Sequence, residues 1–125
     1  MSNDPYSAQV RQLFDAPSHA RCRDGAPRAS IEDQGVRIAF SAETDKQVLR
    51  SLRFEALGCP HVIAVSEAFC ESFEGRPASD LLEFSASDLM QSLAVPVEKT
   101  GRILVIEDVV RSLGQMIRGI SNSDD

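Results

Sequence analysis

Cysteine is scarce in this chain. Its 125 residues include three, Cys22, Cys59 and Cys70, an odd number at uneven spacing with no Cys-x-x-Cys pair. That pattern does not make a disulfide framework. Long apolar runs are absent too: none approaches the ~18 residues needed to cross a bilayer. The first residues, MSNDPYSAQ, lack the basic and apolar regions of a signal peptide. The expectation is a soluble, cytoplasmic protein with no membrane partner. Positive charge is in deficit, 13 Lys and Arg against 19 Asp and Glu, for a net charge of −6. A general nucleic-acid binder would show the opposite balance. There is no repeat and no low-complexity linker, only a short polar tail at residues 121–125. What remains is 42% hydrophobic, enough for one domain, residues 1–125, with a core of its own.

The chain is organised around residues 53–73, RFEALGCPHVIAVSEAFCESF. Alternation over 48–57 predicts a strand, with Val48, Arg50, Leu52, Phe54 and Ala56 on one face. Gly58 is read as a turn that a Cβ would resist. Pro60 suits the first turn of a helix. Val62, Val65, Phe69 and Phe73 then recur at helical spacing. Cys59 falls at the helix N-terminus, where free N–H groups and the helix dipole favour a thiolate.

Around this centre the pattern is α+β. Asp4-Pro5 and the stripe Tyr6, Val10, Leu13, Phe14 predict a helix over 5–14. Residues 17–30 read as a loop with a short edge strand. Val36, Ile38 and Phe40 alternate with Arg37, Ala39 and Ser41, a half-buried strand. The polar segment 42–46 turns into the strand at 47–57, an antiparallel hairpin. Glu74-Gly75-Arg76-Pro77 breaks the chain. Ser79 caps one short helix, and Ser85 with Asp88 forms a variant capping box for another. Ile106, Val109, Val110, Leu113, Met116, Ile117 and Ile120 mark a long C-terminal helix with one core-facing stripe. The sum is a small antiparallel sheet of about three strands, with helices packed on one face.

Gly58-Cys59-x-x-x-Ile63-Ala64 after Arg53-Phe54 resembles the NifU-like (IscU/NifU-type) iron–sulfur cluster assembly scaffold family. Glu74-Gly75-Arg76, Asp88-Leu89, Pro96-Val97, Ile103-Leu104 and Glu107-Asp108 continue the resemblance in order. It covers roughly residues 5–118. It implies an α+β scaffold that is not an enzyme. It also implies an iron–sulfur cluster or zinc held by three converging Cys, and partners such as a cysteine desulfurase. Cys59 matches the second of those Cys. The first falls on Ala29 if Gly25-Ala26-Pro27 is aligned, or on Asp33 by an ungapped count back from Cys59. Both alignments stay open. The third, from a His-Cys pair, falls on Thr100-Gly101. The family's chaperone-recognition motif appears only as Ala94-Val95-Pro96-Val97-Glu98, with an acid in place of its Lys.

The resemblance therefore implies a depleted site, with Cys59 retained and the ligand positions at Ala29 and Gly101 lost. Asp33 and His61 are the candidate replacement ligands, although a first-turn His is ordinarily solvated. Glu32 is a further oxygen donor, ordinary in a turn. Cys70, eleven residues past Cys59, is about 16 Å away along a helix and reads as a core residue. Cys22 reads as a loop thiol that nothing fixes beside Cys59. His19 carries no signal. Arg21, Arg23, Arg28, Arg37, Lys99 and Arg102 could form a basic patch, though a solvated surface is the simpler account. Three functions remain open. One is a scaffold-like protein assisting cluster assembly or transfer. The others are a non-catalytic module binding an assembly component, and a single-thiol persulfide carrier using Cys59.

Overall fold

Three strands pair antiparallel in chain order: β1 (Arg28–Asp33), β2 (Val36–Asp45) and β3 (Val48–Leu57). They belong to a computed structural model that describes residues 8–15, 18–22 and 24–123. The strands meet at two tight turns. Gln34 and Gly35 both have positive φ, and so do Lys46 and Gln47. This is the geometry of two-residue hairpins whose twist matches the strands. Strand β2 thus runs on through residues 42–45, which the sequence had suggested as the turn. Ala42 is buried, while Glu43, Thr44 and Asp45 are all exposed at a sheet end, past a shift of register between Glu43 and Thr44. Strand β1 likewise extends past residue 30 to Asp33.

Register fixes the two faces. Ala29, Phe40 and Phe54 form one cross-sheet row, and Ile31, Ile38 and Ala56 the next. Ala42 opposite Leu52 continues that face. Helices cover it. Helix α2 (Pro60–Phe73) returns over the sheet directly after β3, and helix α4 (Thr100–Ser123) lies across β1 and β2. Val62, Val65 and Phe69 of α2 are fully buried. Phe69 sits 5.2 Å from Phe40 and 4.9 Å from Phe84, both edge to face. Such ring pairs add about 0.5–1.5 kcal/mol beyond the area they bury. The opposite face carries Arg28, Ser30, Glu32, Arg37 and Glu55.

Helix α1 (Ala8–Asp15) packs on α2 through buried Val10. The expected start at Asp4-Pro5 lies outside the described residues. After α2 come a 3₁₀ turn (Ala78–Glu83), helix α3 (Ser87–Ser92) and a second 3₁₀ turn (Val97–Lys99). Pro77 rather than Ser79 precedes the first turn, and Ala86 rather than Ser85 caps α3. Ser85 Oγ accepts a bond from Ser87 N at 3.4 Å, but no capping box with Asp88 forms. Helix α4 begins six residues before the expected stripe, and Ile103 and Val105 join its buried face. Met116 and Ile120, expected in the core, are 40% and 46% exposed. The buried stripe ends at Ile117. No helix among the described residues is long and apolar enough to cross a membrane.

Candidate functional site

Cys59 is the N-cap of α2, and Pro60 follows at the first helical position. Its carbonyl accepts from Val62 N at 3.0 Å and Ile63 N at 3.4 Å. The turn into the helix needs no special backbone at Gly58. Its φ is not in the left-handed region, and a Cβ there would meet Val62 at an ordinary 3.5 Å. The expectation that Gly58 must be glycine is therefore corrected. Cys59 itself is half-buried.

Two other segments come to the same end of the molecule. The first is the β1–β2 turn. Leu57 lies opposite Arg37, so Cys59, two residues on, leaves the sheet level with Gln34-Gly35. Asp33 closes β1 there, exposed, with its Oδ1 accepting from Gln34 N at 2.9 Å. The second is the start of α4. A Cβ on Gly101 would have Gln34 Oε1 as its nearest neighbour, at 3.9 Å. Thr100 Oγ1 bonds back to Val97 O at 2.7 Å. Lys99 and Glu98 lie near enough to His61 to act on its charge.

Ala29 is elsewhere. It is 7% exposed and sits mid-sheet in the row of Phe40 and Phe54. Five residues of extended chain separate that row from Cys59, about 16 Å. Ala29 packs in the core, whereas Asp33 stands at the Cys59 end.

His61 departs from the solvated first-turn residue expected. It is 2% exposed. Burial disfavours its cation, the Lys99 charge adds to this, and Glu98 partly opposes, so its pKa lies below the usual histidine value. Cys70 is fully buried, as read from the sequence. Cys22 does not approach Cys59. Its Sγ lies 3.7 Å from Ala39 O and 4.0 Å from Arg53 O, on the open face of the sheet. Burial there pushes its thiol pKa up. Of the basic residues singled out in the sequence, Arg23 lies outside the described residues. On the open face Arg28 pairs with Glu55 at 3.0 Å and Arg37 with Glu32 at 3.1 Å. Among the described residues, no three His, Cys, Asp or Glu side chains are grouped to hold a metal ion.

The residue that sequence reasoning missed is His19. It joins Glu67 and Glu74, 48 and 55 residues away. One signal was present: Glu67 sits inside the apolar run of α2, and a carboxylate that is 1% exposed needs partners.

The model of the NifU-like N terminal domain matches residues 5–113. The chain belongs to that family. An iron–sulfur cluster assembly protein IscU of Plasmodium falciparum (isolate 3D7) is 25% identical over 112 residues. That alignment spans 85% of this chain and 69% of the relative. The N-terminal part of a nitrogen-fixing NifU-like protein from Brucella abortus superposes with a TM-score of 0.69 at 12% identity. It covers 90% of this chain and 94% of that one. A putative iron–sulfur cluster assembly scaffold protein for the SUF system of Fervidobacterium islandicum AW-1 gives 0.64 at 13%, covering 84% and 93%. At these identities the solved structures show a shared fold.

Proposed function

We propose that this protein works in iron–sulfur cluster assembly as a scaffold-like member whose own metal site is depleted. It assists assembly or transfer by engaging other components, such as a cysteine desulfurase, and does not hold a cluster alone. One observation supports this above the rest. The turn at Asp33, the helix start at Cys59 and the helix start at Gly101 meet at one end of the fold, yet bring a single cysteine. Iron–sulfur clusters are held mainly by several Cys thiolates. An exposed Asp33 and a buried His61 do not replace them, so the donor set present does not fit a cluster. The family's cluster is on this reading cargo handled with a partner.

Rebuilding the site tests the reading. Asp33 is taken as the position of the missing first ligand and Gly101 as that of the third. Gly101 has helical backbone, and a Cβ there would meet Gln34 Oε1 at an ordinary 3.9 Å, so Gly101→Cys adds a thiol without strain. The Asp33→Cys/Gly101→Cys variant should take up cluster on anaerobic reconstitution with iron and sulfide. Its charge-transfer absorption should vanish when Cys59→Ala is added. An Ala29→Cys/Gly101→Cys variant should not, because Ala29 is mid-sheet. If the parent chain binds a stoichiometric cluster as a monomer, the depleted-site reading is wrong. If the Asp33 variant folds but binds none, the three segments are not one site.

A further inference from the structure

Residues 18–22 cross beside β3 on the edge that β2 does not use. Phe54 N donates to His19 O at 2.9 Å, and Arg21 N donates to Phe54 O at 2.7 Å. This is one parallel bridge, Ala20 to Phe54, at an Arg21 held at φ 75°. So short a pairing is weak by itself. What secures it is a side chain. The His19 imidazole lies between two carboxylates, Nδ1 2.5 Å from Glu67 Oε2 and Nε2 2.8 Å from Glu74 Oε1. Ser18 Oγ also reaches Glu67 Oε2 at 3.0 Å, and His19 N donates to Glu67 Oε1 at 2.8 Å. Glu74 Oε2 accepts from Leu52 N of β3 at 2.8 Å. The cluster thus ties the segment to α2, to the end of that helix and to β3 at once.

We propose that residues 18–22 are a pH-dependent strap, docked on the edge of β3 while His19 is a cation clamped by Glu67 and Glu74, and released as that charge is lost. With both carboxylates ionised, both ring nitrogens must donate, which only the cation does. A neutral imidazole has one N–H and one lone pair. It can serve one carboxylate, and its lone pair then faces the other at hydrogen-bond distance. The imidazolium donates to both.

The strap itself carries Arg21 and Cys22, whose thiol burial holds neutral, and further charged and titratable groups lie around it. Arg53 of β3 donates to Ser18 O at 3.5 Å and Ala20 O at 3.3 Å. Glu55 of β3 accepts from Cys22 N at 3.1 Å and pairs with Arg28 of β1. Cys70 of α2 is buried beside the two glutamates, and its thiol is held neutral, first by burial and then by their charges. None of these loses a charge near neutrality by itself, whereas His19 does. Burial works to lower the His19 pKa, but the bonds to Glu67 and Glu74 together carry it above the ordinary 6.5. The sign follows. A histidine raised on folding contributes its stabilisation in full below about 6.5, and loses it as pH rises through the raised value. The strap is therefore docked in mild acid and loosens on the alkaline side. Release frees the N–H and C=O of Phe54 on the strand that leads to Cys59.

Backbone amide hydrogen exchange on the full chain tests this, read at Arg21 and Phe54 between about pH 5.5 and 8.5. Protection is corrected for intrinsic rates. Ile31 and Ile38, on the β1–β2 pair, serve as controls. The protection of Arg21 and Phe54 relative to these controls should fall at least about tenfold across the range. His19→Gln should show the low value at every pH. Glu74→Gln, at the more exposed carboxylate, is the second variant should His19→Gln not fold. It should move the loss to lower pH. The proposal is overturned if Arg21 and Phe54 track the controls at all pH values in the parent. It is equally overturned if the His19 ring, followed by NMR, titrates at or below the free-histidine value.

Discussion

Ala94 shows what one residue type does at a helix end. It closes α3 with φ 53°, a left-handed conformation that costs an L-residue with a Cβ. The next residue, Val95, donates to Met90 O at 2.9 Å, and Ala94 N to Gln91 O at 3.2 Å. That is the paired bonding of a Schellman stop, where glycine is usual. Ala94→Gly should therefore stabilise the protein, by at most roughly 1–2 kcal/mol, the cost of the left-handed conformation for an L-residue, seen as a higher urea midpoint with an unchanged slope. Destabilisation would mean the Ala94 methyl has a packing role. The residue scale was also where the sequence was hardest to read. Cys59 at a helix start and Cys70 in the core were legible, because local spacing decides both. His19 was not. Its partners are about fifty positions away, and pairing over that separation leaves no periodic trace. His61 was misjudged for a related reason: it is buried, and the Lys99 and Glu98 charges that act on it come from another part of the chain.

At the scale of elements, two glycines of α4 separate packing from propensity. A Cβ on Gly114 would meet Leu81 Cβ at 2.9 Å, Leu82 N at 3.1 Å and Leu81 C at 3.2 Å. Two of these neighbours are backbone of the 3₁₀ turn, which cannot step aside as a side-chain tip would. A Cβ on Gly119 would meet nothing within 4 Å. Alanine in a helix interior gains about 0.5–1 kcal/mol over glycine, while forced overpacking costs about 1–3 kcal/mol. Gly114→Ala should accordingly lower the thermal midpoint and Gly119→Ala raise it. Equal effects of the two would show that α4 does not press on the 3₁₀ turn. Strands and helices with strong periodicity, β3, α2 and α4, were readable in the sequence. Their ends were not. Helix α4 starts on Thr100-Gly101, residues without apolar pattern, and β2 ends on exposed polar residues that carry no alternation. The two sheet turns use Gln34, Lys46 and Gln47 at positive φ, and only Gly35 gives a turn signal of the expected kind.

For the whole molecule the two histidines set opposite limits on stability. His19 is raised above 6.5 by its two carboxylates against the pull of burial, so the folded state binds its proton more tightly than the unfolded chain does. Between 6.5 and the raised value the native state carries more protons, and stability falls as pH rises. His61 is lowered, chiefly by burial and further by Lys99. As pH drops below 6.5 the unfolded chain takes up a proton that the native state refuses, and stability falls in that direction too. Glu55, held low chiefly by bonds from Cys22, adds a loss only as pH falls below the usual 4.5. It is exposed, so that part is small. Stability against urea should thus pass through a maximum near the ordinary histidine value, about 6.5. The alkaline limb should flatten in His19→Gln while the acid limb persists. In His61→Gln the first part of the acid limb should flatten while the alkaline limb remains. A parent profile that keeps rising from pH 6.5 to 8.5 would contradict the assignment of His19 as a clamped cation. One that keeps rising from 6.5 down to 5 would contradict that of His61 as a buried neutral ring.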